Sequence, residues 1–292
     1  MPAARAPLSA ARWHFQHGPI DCVIGAEGPA AAEAHEAAWC RFATVLDELV
    51  AELALLRRPV QEAAGVRGVV ARRMVQACAP HAAGFITPMA AVAGSVAQEL
   101  IGCYRRPGIT RAWVNNGGDI ALHLAPGAAA RVGLVSDLAS IGLDADFTLQ
   151  AHQGVRGVAT SGWRGRSFSM GIADSVTVLA RTAAMADAAA TVLANAVDVD
   201  HPAIGRRPAS ALRDDTDLGD RLVTVQVPAL PPSEVAKALA QGAARAQALA
   251  AQGLIEGALL VCQGQVKAVG TPLSAQQATA RCARGPSLAL EA

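Results

Sequence analysis

The chain of 292 residues has few aromatic side chains, only 3% of its length, and no marked excess of charge of either sign. Its formal net charge is +1, so it lacks the positive field that draws proteins to nucleic acid or to anionic membrane surfaces. We therefore expect neither nucleic acid nor a membrane as a partner. The hydrophobic fraction is 52% and includes much alanine, which predicts a globular protein with a closely packed core.

An uninterrupted apolar segment of membrane-spanning length is also missing. Residues 82–101 approach that length, but Pro88, Ser95, Gln98 and Glu99 interrupt them, which favours a buried helix. The first residues contain no continuous apolar core of the kind that an export signal requires. We predict a soluble protein located in the cytoplasm.

The six cysteines include no C-x-x-C pair, so the sequence indicates neither a structural zinc site nor a disulfide framework. Reduced and mostly buried thiols are expected. A G-x-S-x-G elbow and a G-x-x-x-x-G-K-[ST] phosphate loop are absent as well, which disfavours the enzyme classes built on those two motifs.

Apolar periodicity predicts that helices and strands mix along the chain. Helices are predicted at 30–56, 66–78, 89–104, 182–197 and 233–252, and residues 201–220 are predicted to form a surface loop. Strands are predicted within 12–27, at 131–135, 147–151, 154–161, 167–170, 174–179 and 222–227, and in two hairpins at 111–124 and 258–269.

The predicted fold class is therefore α/β (α+β), with mixed, mostly antiparallel sheets and packed helices. One domain is expected over residues 1–271, with a division into two lobes at about 1–108 and 109–271 as the alternative. A C-terminal tail is expected at 272–292, where the alanine-rich sequence gives little reason for order.

Three polar residues recur at a spacing of four in the helix predicted after Val178, namely Asp187, Thr191 and Asn195. This spacing places them on one helix face within an otherwise apolar segment. A buried carboxylate requires a cationic partner, and carboxylate and hydroxyl oxygens suit magnesium or calcium. The alternative is that the three residues face solvent or cap other elements.

Two further segments carry residues suited to binding a small anion. Asn115–Asp119 forms a hairpin turn in which Asn116, Gly117 and Gly118 precede a carboxylate, Asp119, and glycine lets a ligand approach the backbone. Residues 159–166 combine hydroxyl groups, glycines and guanidinium groups that fit phosphate or carboxylate. The alternatives are an ordinary hairpin turn and a solvated basic turn. The candidate residues of the second segment are Thr160, Ser161, Gly162, Arg164 and Arg166.

The N-terminal segment supplies imidazoles and a carboxylate, in His14, His17 and Asp21. Such groups bind metal or carry protons. Half-exposed residues of a strand are the simpler interpretation.

Three separated segments together resemble the ApbE family, the magnesium-dependent FAD:protein FMN transferases. Residues 116–119 resemble its N-x-G-G-D turn and residues 160–162 its T-S-G strand. Residues 175–178 and 186–191 resemble its S-V-T-V strand and A-D-A-L-A-T helix. The resemblance extends over residues 110–197 and implies an ApbE-like fold. It also implies that Asp187 and Thr191 ligate a divalent metal, with Asp119 beside the bound ligand.

The sequence departs from the transferases in one segment. They carry H-I-x-D-P-x-T-G after the T-S-G strand, whereas residues 168–174 here pass almost directly into the S-V-T-V strand. The missing segment is part of the wall that accommodates flavin. Residues 16–21 and 88–94 resemble instead a shorter, cytoplasmic branch of undetermined function.

The leading hypothesis is a metal-assisted enzyme that acts on a small anionic metabolite. Asp187 and Thr191 hold Mg²⁺, Asp119 positions the substrate, and Arg164 and Arg166 meet its negative charge. His17 is the expected proton carrier. One alternative is an FAD-dependent transferase of FMN to a protein serine or threonine. Another is a non-catalytic module that binds flavin or another metabolite. The small-residue helix faces are compatible with a homodimer.

Overall fold

A computed structural model describes residues 2–9, 11–134 and 145–270. In that part of the chain, no helix has both the length and the apolar character needed to cross a membrane. The helices are α1 Ala31–Ala51, α2 Leu53–Leu56, α3 Val69–Cys78, α4 Val92–Ile101, α5 Ala183–Ala196 and α6 Pro232–Ala251. The strands are β1 Ala4–Ser9, β2 Arg12–His17, β3 Ile20–Glu27, β4 Arg111–Asn116, β5 Asp119–Leu124, β6 Ala129–Leu134, β7 Ala145–Gln150, β8 Gly157–Ser161, β9 Ser175–Ala180, β10 Gly205–Pro208, β11 Leu222–Gln226, β12 Gly257–Cys262 and β13 Gln265–Gly270.

One sheet of nine strands, in the order β1-β2-β3-β4-β5-β8-β9-β12-β13, runs through the molecule. Every neighbouring pair in it is antiparallel. Two further antiparallel pairs, β6–β7 and β10–β11, lie outside this sheet. The predicted fold class, with mostly antiparallel sheets and packed helices, is confirmed. The pairing of β3 with β4 joins the two segments that flank residue 108.

The size of the buried side chains differs between the two ends of the sheet. Near β2–β4 it contains large rings, Phe15, Phe42 and Tyr104, packed between the sheet and helices α1 and α4. Near β9 and β12 it consists largely of alanine and valine between the sheet and helices α5 and α6. The antiparallel pair β6–β7 covers the opposite face of the middle strands. The small side chains let α5 pack close to the sheet, which brings its polar residues near the strand ends.

Some sequence-based predictions of elements are wrong. No strand forms at 167–170, because the N–H of Met170 donates to Asn195 Oδ1 (2.9 Å) rather than to a strand neighbour. The predicted loop at 201–220 contains β10, which pairs with β11. Strand β1 has no counterpart among the predictions, because its residues are exposed throughout and show no alternation. The predicted tail at 272–292 lies outside the described residues.

Candidate functional site

The carboxylate of Asp187 meets the first turn of helix α4. Its Oδ2 accepts a hydrogen bond from the N–H of Gly94 (2.8 Å). A Cβ at Gly94 would lie 2.3 Å from the carbonyl oxygen of Ala183 and 2.8 Å from the Cβ of Asp187. Only glycine therefore permits this approach of α4 to α5, and the positive end of the helix dipole faces the carboxylate. Asp187 points inward, towards another element, rather than out into water.

The Asn116–Asp119 turn is tied to the same end of α4. Asn116 is buried, its Nδ2 donates to the carbonyl oxygen of Ala93 (3.1 Å), and its Oδ1 accepts from the N–H of Asp21 (3.4 Å). Gly117 and Gly118 both have positive φ, 66° and 114°, which glycine adopts without strain. The buried asparagine thus fixes the position of the glycine turn relative to α4.

Asp119 lies on the sheet face that carries Asn116, because the two residues are partners in the β4–β5 register. Burial raises the pKa of Asp119 to about 7, although a hydrogen bond from the backbone of Thr160 opposes the shift. The pKa of Asp187 is also raised, first by burial and then by the negative charge of Asp119, against hydrogen bonds from the backbone of Gly94 and Ala93. The two carboxylates therefore lie close enough to oppose each other's ionisation.

No cationic side chain among the described residues lowers the pKa of either Asp119 or Asp187. Two like charges in a partly buried site are unfavourable unless a proton or a cation lies between them. This pair is the electrostatic feature that distinguishes the site from the rest of the described chain.

The T-S-G segment ends beside this pair, because β8 pairs with β5 through Ile120 and Val158. The hydroxyl of Thr160 is hydrogen-bonded to that of Thr177 (2.9 Å) on β9. A Cβ at Gly162 would lie 2.3 Å from the carbonyl oxygen of Asp174, so the chain can turn there only with glycine. Ser161 at the end of β8 is half-buried.

The two candidate arginines differ in position. Arg166 is exposed and reaches the glycine turn, since a Cβ on Gly117 would lie 3.3 Å from its Nη1. Arg164 lies over the ring of Trp163, 5.2 Å from its centroid, with its Nε 3.6 Å from Oδ1 of Asp174. Arg166 is therefore the arginine that the structure brings to the Asn116–Asp119 turn.

The three polar residues on one face of α5, Asp187, Thr191 and Asn195, differ in their contacts. Asn195 Oδ1 accepts hydrogen bonds from the N–H of Met170 (2.9 Å) and the hydroxyl of Ser169 (3.2 Å), so it holds the loop before β9. Thr191 is half-buried and lies one helical turn beyond Asp187. Its role as a metal ligand stays a prediction.

His17 is buried, with 7% of its surface exposed, at the end of β2. Its ring centroid lies 6.4 Å from that of Phe42, and its Nδ1 has no hydrogen-bond partner among the described residues. His14, which points to the other sheet face, has its Nε2 2.8 Å from Oδ1 of Asp21. The predicted proton-carrying role of His17 stays a prediction.

Within the described ranges, no group of three or more histidine, cysteine, aspartate or glutamate residues is arranged to hold a metal. The candidate set is two carboxylates and a hydroxyl. Mg²⁺ commonly uses one or two protein carboxylates together with water and ligand oxygens, so this donor set fits Mg²⁺ and does not fit zinc.

Sequence reasoning missed the amides of Ala93 and Gly94. The glycine at position 94, inside the helix predicted at 89–104, is the signal that could have revealed them.

Comparison with known proteins identifies the family. The family model described as "AbpE bacteria" matches residues 4–268. The chain belongs to this family. The predicted membership of the ApbE-like superfamily is thereby confirmed.

Relatives of this AbpE family member include archaeal proteins named UPF0280 protein. That of Methanosphaerula palustris is 34% identical over 188 residues, which cover 64% of this chain and 77% of the relative. That of Methanosarcina acetivorans is 33% identical over 207 residues, or 68% and 77%. The match to the protein of Methanococcoides burtonii is 39% identical over 121 residues, which cover 41% of this chain and about half, 49%, of the relative. These names state no activity.

Among solved structures, the apo form of the flavinyl transferase ApbE from Pseudomonas stutzeri is similar to this chain. The match covers 91% of this chain and 93% of that one, with a TM-score of 0.45 and 14% sequence identity.

Proposed function

We propose that this protein is a metal-assisted enzyme that acts on a small anionic molecule. Asp187 and Thr191 would hold a divalent cation, and Asp119 would position the substrate beside it. The observation that carries the proposal is that the pKa values of the neighbouring Asp119 and Asp187 carboxylates are both raised, and that no cationic side chain in the described part of the chain lowers either of them.

A divalent cation relieves this opposition better than a shared proton does at neutral pH. A proton neutralises one carboxylate and leaves the other charged in a partly buried site. A cation of charge +2 lets both ionise and accepts further oxygen ligands from a hydroxyl, from water or from substrate. Carboxylate and hydroxyl oxygens are hard ligands, which favours Mg²⁺ over softer metals. The chemistry that such an ion supplies when bound is polarisation of a carbonyl or phosphoryl oxygen.

The surroundings of the carboxylate pair suit a negatively charged substrate. Arg166 lies beside the glycine turn, and a guanidinium group binds carboxylate or phosphate in a bidentate manner. A Cβ at Gly118 would meet nothing within 4 Å, so the turn leaves open space next to Asp119. The predicted substrate is therefore a carboxylate or phosphate compound small enough to lie between the turn and α5.

Calorimetric titration of the metal-free protein with Mn²⁺ or Mg²⁺ tests the metal site. Replacing Asp187 with alanine removes a direct ligand, so the affinity should fall at least about a hundredfold, because loss of outer partners alone costs about 10–100-fold. Asp200→Ala, an exposed carboxylate beyond the same helix, is the matched control and should bind as the wild type does. Equal affinities in the two variants would contradict the proposal.

Mass spectrometry of the small molecules that the purified protein releases identifies the substrate class. A carboxylate or phosphate metabolite that the protein converts supports the proposal. Retained FAD, with transfer of FMN to a protein serine or threonine, would favour the transferase alternative. A ligand that is held tightly and never converted would favour the non-catalytic binding module.

A further inference from the structure

A cleft of about 400 Å³ lies beside the C-terminal end of α4, a volume within the range of small-molecule sites. None of the residues that line it is a candidate residue of the Asp119–Asp187 site, so the two are separate. Three guanidinium groups and one carboxylate give the lining an excess of positive charge, which suits an anion. The lining side chains that bear on this chemistry are Arg41, Arg73, Gln98, Glu99, Cys103 and Arg105.

Glu99 fixes the positions of two of the guanidinium groups. Its Oε1 accepts a hydrogen bond from Arg41 Nε and its Oε2 one from Arg73 Nη2, both 2.7 Å long. Arg41 is also bonded through both Nη atoms to Glu48, so its charge is paired on two sides. Arg73 has one further acceptor, the carbonyl oxygen of Ser95 (3.0 Å). A guanidinium group has more N–H donors than these two bonds use, so Arg73 retains donors for a ligand.

Arg105, the third arginine of the cleft, has no partner for its charge. In the part of the chain that the structure describes, its exposed side chain makes no hydrogen bond and has no carboxylate within ion-pair distance. Burial and then the charge of Arg105 lower the pKa of Arg156, so another guanidinium group is near. An anion bound between Arg73 and Arg105 would offset this repulsion.

Gln98 adds a neutral donor to the cleft. Its Oε1 accepts a hydrogen bond from the N–H of Ala184 (3.2 Å), and its Nε2 has no acceptor among the described residues. The last carbonyl groups of α4 accept from the N–H of Gly102, and the carbonyl oxygen of Gly102 accepts from the N–H of Arg105 (3.2 Å). Donors therefore exceed free acceptors in this cleft, and a ligand that fits it must supply acceptor oxygens.

We propose that this cleft is a second anion site, which binds the phosphate group of a small molecule through Arg73, Gln98 and Arg105. These donors come from α3, from α4 and from the turn that follows α4. A phosphate group offers more acceptor oxygens than a carboxylate does, and it therefore suits donors that come from separate elements. Glu99 positions Arg73 and does not contact the ligand. The proposal is independent of the metal site.

The native thiol of Cys103 reports on occupancy, because it lines the cleft and is half-buried. Alkylation by iodoacetamide is timed by peptide mass spectrometry at increasing concentrations of inorganic phosphate, with potassium chloride holding the ionic strength constant. The exposed Cys40 is the reference. Phosphate should slow alkylation of Cys103 and leave that of Cys40 unchanged, and the concentration that halves the rate measures the affinity. Acetate should protect Cys103 less than phosphate does.

Three variants locate the bound phosphate, each compared with the same protein without phosphate. Arg105→Gln should raise the half-protecting concentration about tenfold, the effect of losing one hydrogen bond to a charged group. Arg106→Gln removes the same charge from the next residue, whose guanidinium is bonded to the exposed Glu33 (2.7 Å), and should behave as the wild type does. Arg166→Gln, which alters the Asn116–Asp119 turn, should also leave protection unchanged.

Four results would overturn the proposal. They are a wild-type Cys103 that phosphate does not protect, equal slowing at Cys40, equal effects of Arg105→Gln and Arg106→Gln, and equal protection by acetate. Loss of protection in Arg166→Gln would likewise contradict it, because the phosphate would then act from the other site. The assay needs neither metal nor substrate, so failure of metal binding at Asp187 does not affect its outcome.

Discussion

Two clusters of partly buried carboxylates lie at opposite ends of helix α4, and the pKa values of their carboxyl groups are shifted in opposite directions. Near the C-terminal end, Glu99 accepts hydrogen bonds from Arg41 and from Arg73, each 2.7 Å long. Burial alone would raise the pKa of Glu99, but the two guanidinium groups outweigh it and lower the pKa. Arg41 also donates two hydrogen bonds to Glu48.

Near the N-terminal end, Asp119 and Asp187 accept hydrogen bonds from backbone N–H groups, and the two carboxylates lie close to each other. Burial raises both pKa values there, and no guanidinium group of residues 2–9, 11–134 or 145–270 lowers them. The contrast separates carboxylates that are paired with guanidinium groups from carboxylates that have no cationic partner among the described residues. The first contributes to stability, and the second is the pair of carboxylates on which we base the proposed metal site.

The largest expected effect is the destabilisation caused by Glu99→Gln. Removing this carboxylate leaves two partly buried guanidinium groups without their shared partner, which should cost about 3 kcal/mol in the free energy of unfolding. Urea denaturation measures the loss. The control is Glu33→Gln, because the Glu33–Arg106 pair is exposed and should contribute about 0–1 kcal/mol. Similar losses in the two variants would show that the Glu99 network is no more important than a surface pair.

The pH dependence of stability should have opposite signs for the two clusters. The lowered pKa of Glu99 means that its contribution is present above its unfolded-state pKa and is lost as the pH falls through its folded-state value. The raised pKa of Asp119, about 7 against 3.8, means that its contribution is present at low pH and is lost as the pH rises from about 4 towards about 7.

In EDTA, the free energy of unfolding should therefore fall between about pH 4 and pH 7, by at most about 1.4 kcal/mol per pH unit for each group. Saturating Mg²⁺ should reduce this fall, because the ion stabilises the ionised pair. Urea denaturation across the range with EDTA or Mg²⁺ measures both effects, and Asp119→Asn should flatten the EDTA curve. If neither Mg²⁺ nor Asp119→Asn changes the pH dependence of the free energy of unfolding, the two clusters do not differ in the way described here.

Part of this arrangement could be predicted from the sequence because it is set by local pattern. The hairpin at 111–124 follows from a glycine turn between two alternating strands. The spacing of four places Asp187 on one helix face with Thr191 and Asn195, although it left open whether that face is turned inward or towards solvent. Because side chains alternate along a strand, Asn116 and Asp119 occupy one face of the sheet once their register is known.

The remainder depends on contacts between residues far apart in the chain. Gly94 meets Asp187 across 93 residues, and Thr87 meets Asp217 across 130. The glycine at position 94 indicates that another element approaches closely, but nothing in either segment identifies the partner of the contact. The two arginines at 164 and 166 looked equivalent in the sequence, but one lies against Trp163 and Asp174 and the other at Gly117. Such differences depend on tertiary packing, which cannot be predicted from the periodicity of apolar residues in the sequence.

The most direct measurement of the central claim is an anomalous difference map from crystals of this protein soaked with Mn²⁺. A metal site formed by these residues predicts a peak within coordination distance of the Asp187 carboxylate and the Thr191 hydroxyl, on the side that faces Asp119. Diffraction showing both carboxylates well ordered at neutral pH, with no anomalous peak next to them, would contradict it.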